Sequence, residues 1–156
     1  MLITDRHVAR IPAGNLRVPL SEFVAVWTAA EQANEDGDWY AGGVVVTCRW
    51  LACSTVELNG RRFLASAPVS GRRRFLAHEE LIEAEYLAAE MLDQRQPQLL
   101  ESRPGWCEGI RATLRWAWRR SGPPPCRFPS TRAGRPSAEP GRPLLLIRHA
   151  SAYWSP

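Results

Sequence analysis

The stretch that decides the fold is Gly105–Pro125, "GWCEGIRATLRWAWRRSGPPP", which holds three tryptophans and four arginines. Two interpretations compete: a surface that grips nucleic acid or membrane, and a helix with a bulky core face. At about 100° per residue, one apolar arc of the helical wheel holds Trp106, Ile110 and Leu114. Trp116 and Trp118 fall at the borders of this arc, where an indole can bury its ring and keep its N–H in water. The pattern predicts an amphipathic helix whose apolar arc packs in the core.

The arginines of this helix fall opposite the apolar arc, and we call them the arginine stripe: Arg111, Arg115 and Arg119. Tryptophans and arginines therefore do not share a face. A surface that stacks bases would interleave aromatic and basic side chains, so the helix is predicted to be core on one side and solvated charge on the other. Like charges at this spacing repel unless acidic groups lie near them.

Acidic side chains crowd the preceding predicted helix, His78–Arg95, whose residues are strong helix formers. Three of them lie within about 40° of each other on its polar side, and we call them the acidic stripe: Glu79, Glu83 and Glu90. Two alternatives stay open: the stripes pair with each other inside the fold, or each meets an outside partner. The six residues of the two stripes are the predicted partner-binding residues.

A second predicted site is a buried polar one centred on Glu85, which falls inside the apolar arc of the acidic helix. A carboxylate in such a position needs a partner or a raised pKa. The expected structural partner is Arg49, the only charge in the apolar run Trp39–Cys53. The alternative is an acid/base or metal pair with His78, which lies seven residues earlier on nearly the same side of the helix.

Other patterns complete the predicted elements. Ser21 is the predicted N-cap of a first helix. Trp39–Cys53 is interpreted as a buried helix, although its valines favour a strand and its glycine pair lowers helix propensity. Asn59-Gly60, between two partly apolar arms, predicts a β-hairpin at Val56–Ala65 with a type I′ turn.

The fold class that follows is mainly α: a small domain of about three to four helices with a β-hairpin, plus a Pro/Arg-rich C-terminal tail. The predicted boundaries are an irregular lead-in over residues 1–19, the helical domain over 20–121 and a flexible basic tail over 122–156. Eight of the 13 prolines lie in the last 34 residues, which lack the apolar content to offset their ordering entropy. The closing apolar patch, Leu144–Trp154, is a candidate docking strand.

Charge is distributed unevenly along the chain. All 20 Lys+Arg residues are arginine, and the net charge is +4. Residues 1–122 hold 15 Arg and 15 Asp+Glu, so the whole excess lies in the last 34 residues. A neutral folded part argues against a basic nucleic-acid-binding domain. The arginine bias itself suits bidentate binding of phosphate or carboxylate, but a GC-rich genome would produce it as well, and the many Ala, Gly and Pro residues favour that explanation.

Cysteine usage and hydropathy indicate a cytoplasmic chain without cofactor or metal. Cys48 and Cys53 are close together, but no second close pair follows them, so no zinc site is predicted. Charge interrupts the N-terminal residues, which argues against a secretory signal. The longest apolar run stops at Arg49, far short of a bilayer span, so no membrane association is predicted. Reduced thiols are then the expected state.

One local resemblance lies near the C-terminus. "LLLIRHASA" (Leu144–Ala152) resembles the first strand and the RHG/RHA motif of the histidine phosphatase superfamily. In that family the histidine takes the phosphoryl group and the arginine binds it, roles that would map onto His149 and Arg148. The resemblance covers nine of the 156 residues. In that family the motif opens the domain, and the second histidine and other phosphate ligands follow it, so we assign no phosphatase fold from this segment.

The function that these patterns favour is non-catalytic: a cytoplasmic interaction protein or a subunit of a protein complex that uses its charged helix faces. The expected partner is a protein, including another copy of this chain. The alternative function is nucleic-acid binding through the arginine-striped helix and the basic tail, which would be steeply salt-dependent. A third hypothesis, an enzyme centred on Glu85 and His78, is the least favoured.

Overall fold

The structure of this chain, a computed structural model, describes residues 3–73 and 75–126. These residues are mainly helical with one two-stranded antiparallel sheet, as the sequence predicts. In chain order the elements are α1 (Asp5–Val8), a 3₁₀ turn (Ala13–Asn15), α2 (Leu20–Glu35), α3 (Trp39–Leu51), β1 (Thr55–Leu58), β2 (Arg61–Leu64), α4 (Glu79–Glu90), α5 (Leu92–Arg95), α6 (Pro97–Ser102) and α7 (Trp106–Ala117). The central helix is α3, which packs against both α2 and α7, and α4 packs against α7.

The run that could have been strand or helix is the buried helix α3, as predicted. Asp38 starts it as an N-cap: its carboxylate accepts hydrogen bonds from the backbone N–H groups of Tyr40 at 2.8 Å and Ala41 at 3.3 Å. Burial on two sides, by α2 and α7, explains why this helix shows almost no polar face.

The two glycines at the crossing of α3 and α7 allow the helices to touch backbone to backbone. A Cβ added at Gly43 would lie 2.2 Å from the carbonyl oxygen of Trp106, and one added at Gly109 would lie 2.2 Å from the carbonyl oxygen of Tyr40. No real side chain tolerates such a distance. The glycine that seemed to weaken α3 is therefore what lets α7 approach it.

Each of these glycines is followed four residues later by a buried threonine on the same helix. The hydroxyl of Thr47 donates to the carbonyl oxygen of Gly43 at 2.8 Å, and that of Thr113 donates to Gly109 at 2.8 Å. The two hydroxyls are thus satisfied inside their own helices, so burying these threonines costs no lost hydrogen bond.

The hairpin forms where predicted. Asn59 and Gly60 both have positive φ, 51° and 72°, as a type I′ turn requires. The register pairs Val56 with Phe63 and Glu57 with Arg62. Val56 packs against the core, whereas three of the four β2 residues are exposed. The hairpin therefore projects from the helical body.

Two helices differ in their boundaries from the sequence prediction. Helix α2 begins at Leu20, one residue before the predicted N-cap Ser21. The predicted helix His78–Arg95 breaks at Met91, whose φ and ψ are −97° and 1°. The break turns the next side chain, Leu92, into the core and leaves Met91 on the surface.

The wheel of α7 predicted its core side correctly but underestimated how much of the helix is buried. Ile110 and Leu114 are fully buried. Trp106 is only half-buried, whereas the two border indoles, Trp116 and Trp118, are buried. The reason is that other elements cover the borders: Phe23 of α2 stacks on Trp116 with ring centroids 6.3 Å apart, and Arg17 of the lead-in covers Trp118 at 4.5 Å.

The two segments that flank the predicted domain are packed onto it as far as the described residues extend. In the lead-in, Asn15 is buried, and the backbone N–H of Arg17 donates to the carbonyl oxygen of Ala117 at 2.8 Å. After α7, the hydroxyl of Tyr40 donates to the carbonyl oxygen of Pro125 at 3.1 Å. Residues 127–156, including most of the predicted flexible tail and the patch Leu144–Trp154 with its RHA sequence, lie outside the described residues.

Candidate interaction surface

The two predicted charge stripes meet each other across α4 and α7. Arg115 holds Glu90 in a bidentate ion pair, with its Nη2 2.7 Å from each carboxylate oxygen. Arg119 pairs with Glu83, whose other oxygen accepts a hydrogen bond from the Trp118 indole at 3.0 Å. Of the two alternatives that the sequence left open, pairing inside the fold is the arrangement that these four charged residues adopt.

The remaining stripe residues take partners outside the opposite stripe. Arg111 donates to the backbone carbonyl of Ala89 at 2.8 Å and pairs with Asp93 of α5. Its side chain is only 15% exposed, so it lies in the α4–α7 junction rather than on the surface. Glu79 instead pairs with Arg17 of the lead-in at 3.3 Å.

These pairs leave part of the charge accessible. Arg115 and Arg119 keep 48% and 44% of their side-chain surface exposed. The hydrogen bonds and negative charge of Glu90 raise the pKa of Arg115, so it stays charged at any relevant pH. Arg119 also lies over the Tyr86 ring at 4.8 Å. The stripes thus clamp α4 to α7 and still present the outer edges of their arginines to solvent.

The predicted partnership between Glu85 and Arg49 is wrong. Arg49 binds Glu31 of α2 instead, with Nε 2.8 Å from one carboxylate oxygen and Nη2 2.6 Å from the other. The Trp27 indole donates to the same carboxylate at 2.9 Å. Burial raises the pKa of Glu31, but the hydrogen bonds and charge of Arg49 outweigh it, and the net pKa lies below 4.5. Since α2 packs directly on α3, its acid is the nearer one to Arg49.

Glu85 is buried as predicted, and backbone groups satisfy it. Its carboxylate accepts hydrogen bonds from the N–H groups of Val69 at 2.8 Å and Ser70 at 3.1 Å. A carboxylate that accepts two backbone N–H groups needs no cation beside it. Glu85 therefore anchors the loop between β2 and α4 onto the helix.

His78 does not join Glu85. It is the exposed N-cap residue of α4, and its Nδ1 lies 2.7 Å from a carboxylate oxygen of Glu80. A hydrogen bond from the backbone N–H of Glu80 itself and one from His78 lower the pKa of the Glu80 carboxyl group. The two residues of the predicted acid/base pair thus have different partners and different degrees of burial.

The four cysteines are free thiols, and burial raises the pKa of each. The effect is strongest for Cys48, which is fully buried in α3. Within residues 3–73 and 75–126, no group of three or more histidine, cysteine, aspartate or glutamate side chains is arranged to hold a metal ion.

A surface that the sequence reasoning missed is built from a repeated pentapeptide. "RRFLA" occurs twice, as Arg61–Ala65 and Arg73–Ala77. In both copies the alanine is buried in the core and the phenylalanine is exposed. Phe63 exposes 40% of its surface and Phe75 exposes 58%. The repeat itself is visible in the sequence and would have drawn attention to this region.

The two repeats are attached to neighbouring residues at the C-terminal end of α3. The backbone N–H of Ala65 donates to the carbonyl oxygen of Ser54 at 2.9 Å. The carbonyl oxygen of Ala77 accepts hydrogen bonds from the thiol of Cys53 at 3.8 Å and from the side-chain amide of Asn15 at 3.0 Å. The anchored ends of both repeats therefore lie side by side.

Several exposed residues around these anchors are basic or apolar, and we call them the repeat surface: Arg61, Arg62, Phe63, Arg72, Arg73, Phe75 and Leu76. In β2, Arg61 and Phe63 are two residues apart, so they share one face of the hairpin, and Arg62 points to the opposite face. The acid of the hairpin is Glu57, opposite Arg62 in the register at 3.8 Å. Two further exposed acids, Glu79 and Glu80, follow the second repeat and lie against Arg17 and His78. Aromatic and basic side chains are thus interleaved here, unlike in α7.

Comparisons with protein-family models, with curated proteins and with solved structures find no match to this chain. Among the described residues, no helix is long and apolar enough to cross a bilayer.

Proposed function

We propose that this chain is a non-catalytic, cytoplasmic interaction protein or a subunit of a complex, and that it binds its partner through the repeat surface. The observation that carries the proposal is the pair of exposed phenylalanines, Phe63 and Phe75, each of which lies two residues before an alanine that is buried in the core. Leu76, which is 54% exposed, extends the same apolar area. Exposed aromatic side chains flanked by arginine are the residue types that binding sites concentrate.

A non-catalytic role is supported by what the titratable side chains already do. The carboxylate of Glu85 is held by loop N–H groups, and His78 is held by Glu80. Free thiols at all four cysteines are compatible with the reducing conditions of the cytoplasm.

The charged helix faces have a secondary part in the proposal. Arg115 and Arg119 pair with acids of α4 but stay about half exposed, so an acidic partner can contact their outer edges. Such screened surface contacts contribute only about 0–1 kcal/mol each. Arg115 and Arg119 would therefore help to orient the partner, whereas most of the binding affinity would come from the repeat surface.

A second candidate function, nucleic-acid binding, is favoured by one observation. Arg61 and Phe63 share a face of the hairpin, and Arg73 lies in the same repeat as Phe75. That interleaving is the feature which the arginine-striped helix lacks.

Cross-linking in a host-cell extract tests the proposal. Wild-type protein and a Phe63→Ser/Phe75→Ser variant are cross-linked, and the captured proteins and nucleic acids are identified and then reconstituted with purified protein. The variant is expected to lose the captured partner while its circular dichroism spectrum and thermal unfolding stay unchanged. The matched control is Leu87→Ser/Met91→Ser, which removes two other exposed apolar side chains, on α4 and at its end, and is expected to retain the partner. Equal capture by all three proteins contradicts the proposal.

A further inference from the structure

We infer that the repeat surface binds single-stranded nucleic acid. This inference rests on the proposed function, because it names the partner class for the surface proposed there.

Planar contact area is the first requirement of such a ligand. Phe63 and Phe75 present exposed rings, and base–aromatic stacking is tolerant of sequence because every base has a π-face. The base faces of a duplex are covered by their neighbours in the stack, whereas those of a single strand can be splayed onto a side chain. Exposed rings of this kind therefore favour a single strand over a double helix.

Charge is the second requirement. Arg61, Arg62, Arg72 and Arg73 are all exposed, and the acid of the hairpin, Glu57, meets Arg62 at a long 3.8 Å. Guanidinium groups bind phosphate oxygens in a bidentate manner. The local excess of positive charge contrasts with residues 1–122 as a whole, where 15 Arg are matched by 15 Asp+Glu. The repeat surface thus concentrates a basic footprint on a neutral body.

Spacing is the third requirement. Each phenylalanine precedes its anchored alanine by two residues, so its Cα lies within roughly 7 Å of that alanine at about 3.3–3.6 Å per residue. The two alanines are in turn attached to the adjacent residues Ser54 and Cys53. One strand of ordinary binding-site length, about 4–16 nucleotides, is therefore long enough to contact both rings.

An acidic peptide is the competing ligand. Its carboxylates would pair with the arginines, but they offer no planar face to stack on the two exposed rings. Alternating phosphates and bases match both side-chain types at once. The combination of ring and guanidinium therefore favours nucleic acid.

The experiment measures fluorescence anisotropy of labelled 12-nucleotide oligo-U RNA and oligo-dT DNA with the full-length protein. We expect binding of single strands that exceeds binding of a duplex, and that weakens as salt rises from about 50 to 200 mM. Phe63→Leu/Phe75→Leu keeps apolar bulk but removes the aromatic planes, and should weaken binding at least about tenfold. Arg61→Ala/Arg72→Ala should lower the slope of log K against log salt by about 1.4, since each phosphate contact on a single strand contributes about 0.7.

Controls and contrary outcomes separate this inference from the proposed function. Leu87→Ala/Met91→Ala should bind oligonucleotides like wild type, and thermal unfolding should show every variant folded. If wild type instead binds a poly-glutamate peptide through Phe63 and Phe75, the nucleic-acid inference is overturned and the proposed function stands. If it binds phosphatidylserine vesicles through them, both are overturned. Oligonucleotide binding that is indifferent to the phenylalanine variants overturns the inference as well. Partner capture that survives Phe63→Ser/Phe75→Ser overturns both.

Discussion

A single buried carboxylate joins the first two long helices. Glu31 of α2 receives three hydrogen bonds from Arg49 and Trp27, and its side chain is 5% exposed. A buried ion pair of this kind is not by itself a gain in stability, because both charges lose their water. Removing one member is costly, however, since the other is left buried without its counter-charge.

Glu31→Gln is therefore expected to lower the free energy of unfolding by about 3 kcal/mol near pH 7. The folded pKa of Glu31 lies below its ordinary 4.5, so its contribution is complete above pH 4.5 and is lost as pH falls through the lower, folded value. Denaturant unfolding of both proteins between pH 7 and pH 3 should show the difference between them shrinking towards acid. A difference that stays constant over this range would contradict the role of the Glu31 charge.

Asn15 acts at the same scale by joining three segments. Its amide donates to the carbonyl oxygens of Leu51 at 2.9 Å and Ala77 at 3.0 Å. The side chain thereby ties the lead-in to the end of α3 and to the second repeat. We expect Asn15→Ala to cost about 1–3 kcal/mol, because it removes the amide donor from the Leu51 carbonyl and leaves the Ala77 carbonyl with only the weak Cys53 thiol donor. Chemical denaturation measures this loss of unfolding free energy. The control is Gln32→Ala, at an exposed position, which should change stability by less than about 0.5 kcal/mol.

At the scale of elements, the close crossing of α3 and α7 organises the helical body. Gly109→Ala would bring a methyl group against the backbone of Tyr40, where neither helix can give way without separating. We expect a loss of about 1–3 kcal/mol or more from overpacking, although alanine is the better helix former. Thermal unfolding tests this, with Gly14→Ala as a control, because a Cβ there would be 4.0 Å from its nearest neighbour. Equal stability of Gly109→Ala and wild type would show that the helices are not in contact there.

The α4–α7 junction contains arginines of unequal importance. Arg111 is mostly buried and binds both the Ala89 carbonyl and Asp93, so it bridges the break between α4 and α5. Arg115 makes a bidentate pair, but about half of its side chain is in solvent. We expect Arg111→Ala to cost about 1.5–3 kcal/mol and Arg115→Ala no more than about 1 kcal/mol. Denaturant unfolding at low and high salt measures both losses, and the loss caused by Arg115→Ala should become smaller still as salt rises.

At the scale of the whole molecule, one helical body carries a projecting basic hairpin and loop. The stripes that looked like the most accessible charge are largely engaged in holding α4 to α7. The less conspicuous RRFLA repeats hold two exposed rings, Phe63 and Phe75. This distribution is the reason for placing binding at the hairpin and not on α7.

The sequence by itself determined the types of the longer helices and of the hairpin, because these depend on local chemistry. It did not predict the short helices α1 and α6. The apolar arc of α7, the type I′ turn at Asn59-Gly60 and the buried helix α3 follow from periodicity, φ preference and composition. The hairpin accordingly lies where it was predicted, and the fold class is mainly helical as predicted. The repeated pentapeptide was equally available, but only its burial pattern shows which of its residues face outward.

The tertiary structure alone decided which side chains meet. Arg49 pairs with Glu31 and not with Glu85, because α2 packs on α3, whereas α4 packs on α7. Trp116 and Trp118 are buried because α2 and the lead-in cover the borders of α7. Spacing along one helix states which residues share a face, but it carries no information on which element will lie against that face. That choice depends on how closely backbones can approach, and here two glycines, Gly43 and Gly109, allow the approach of α3 and α7.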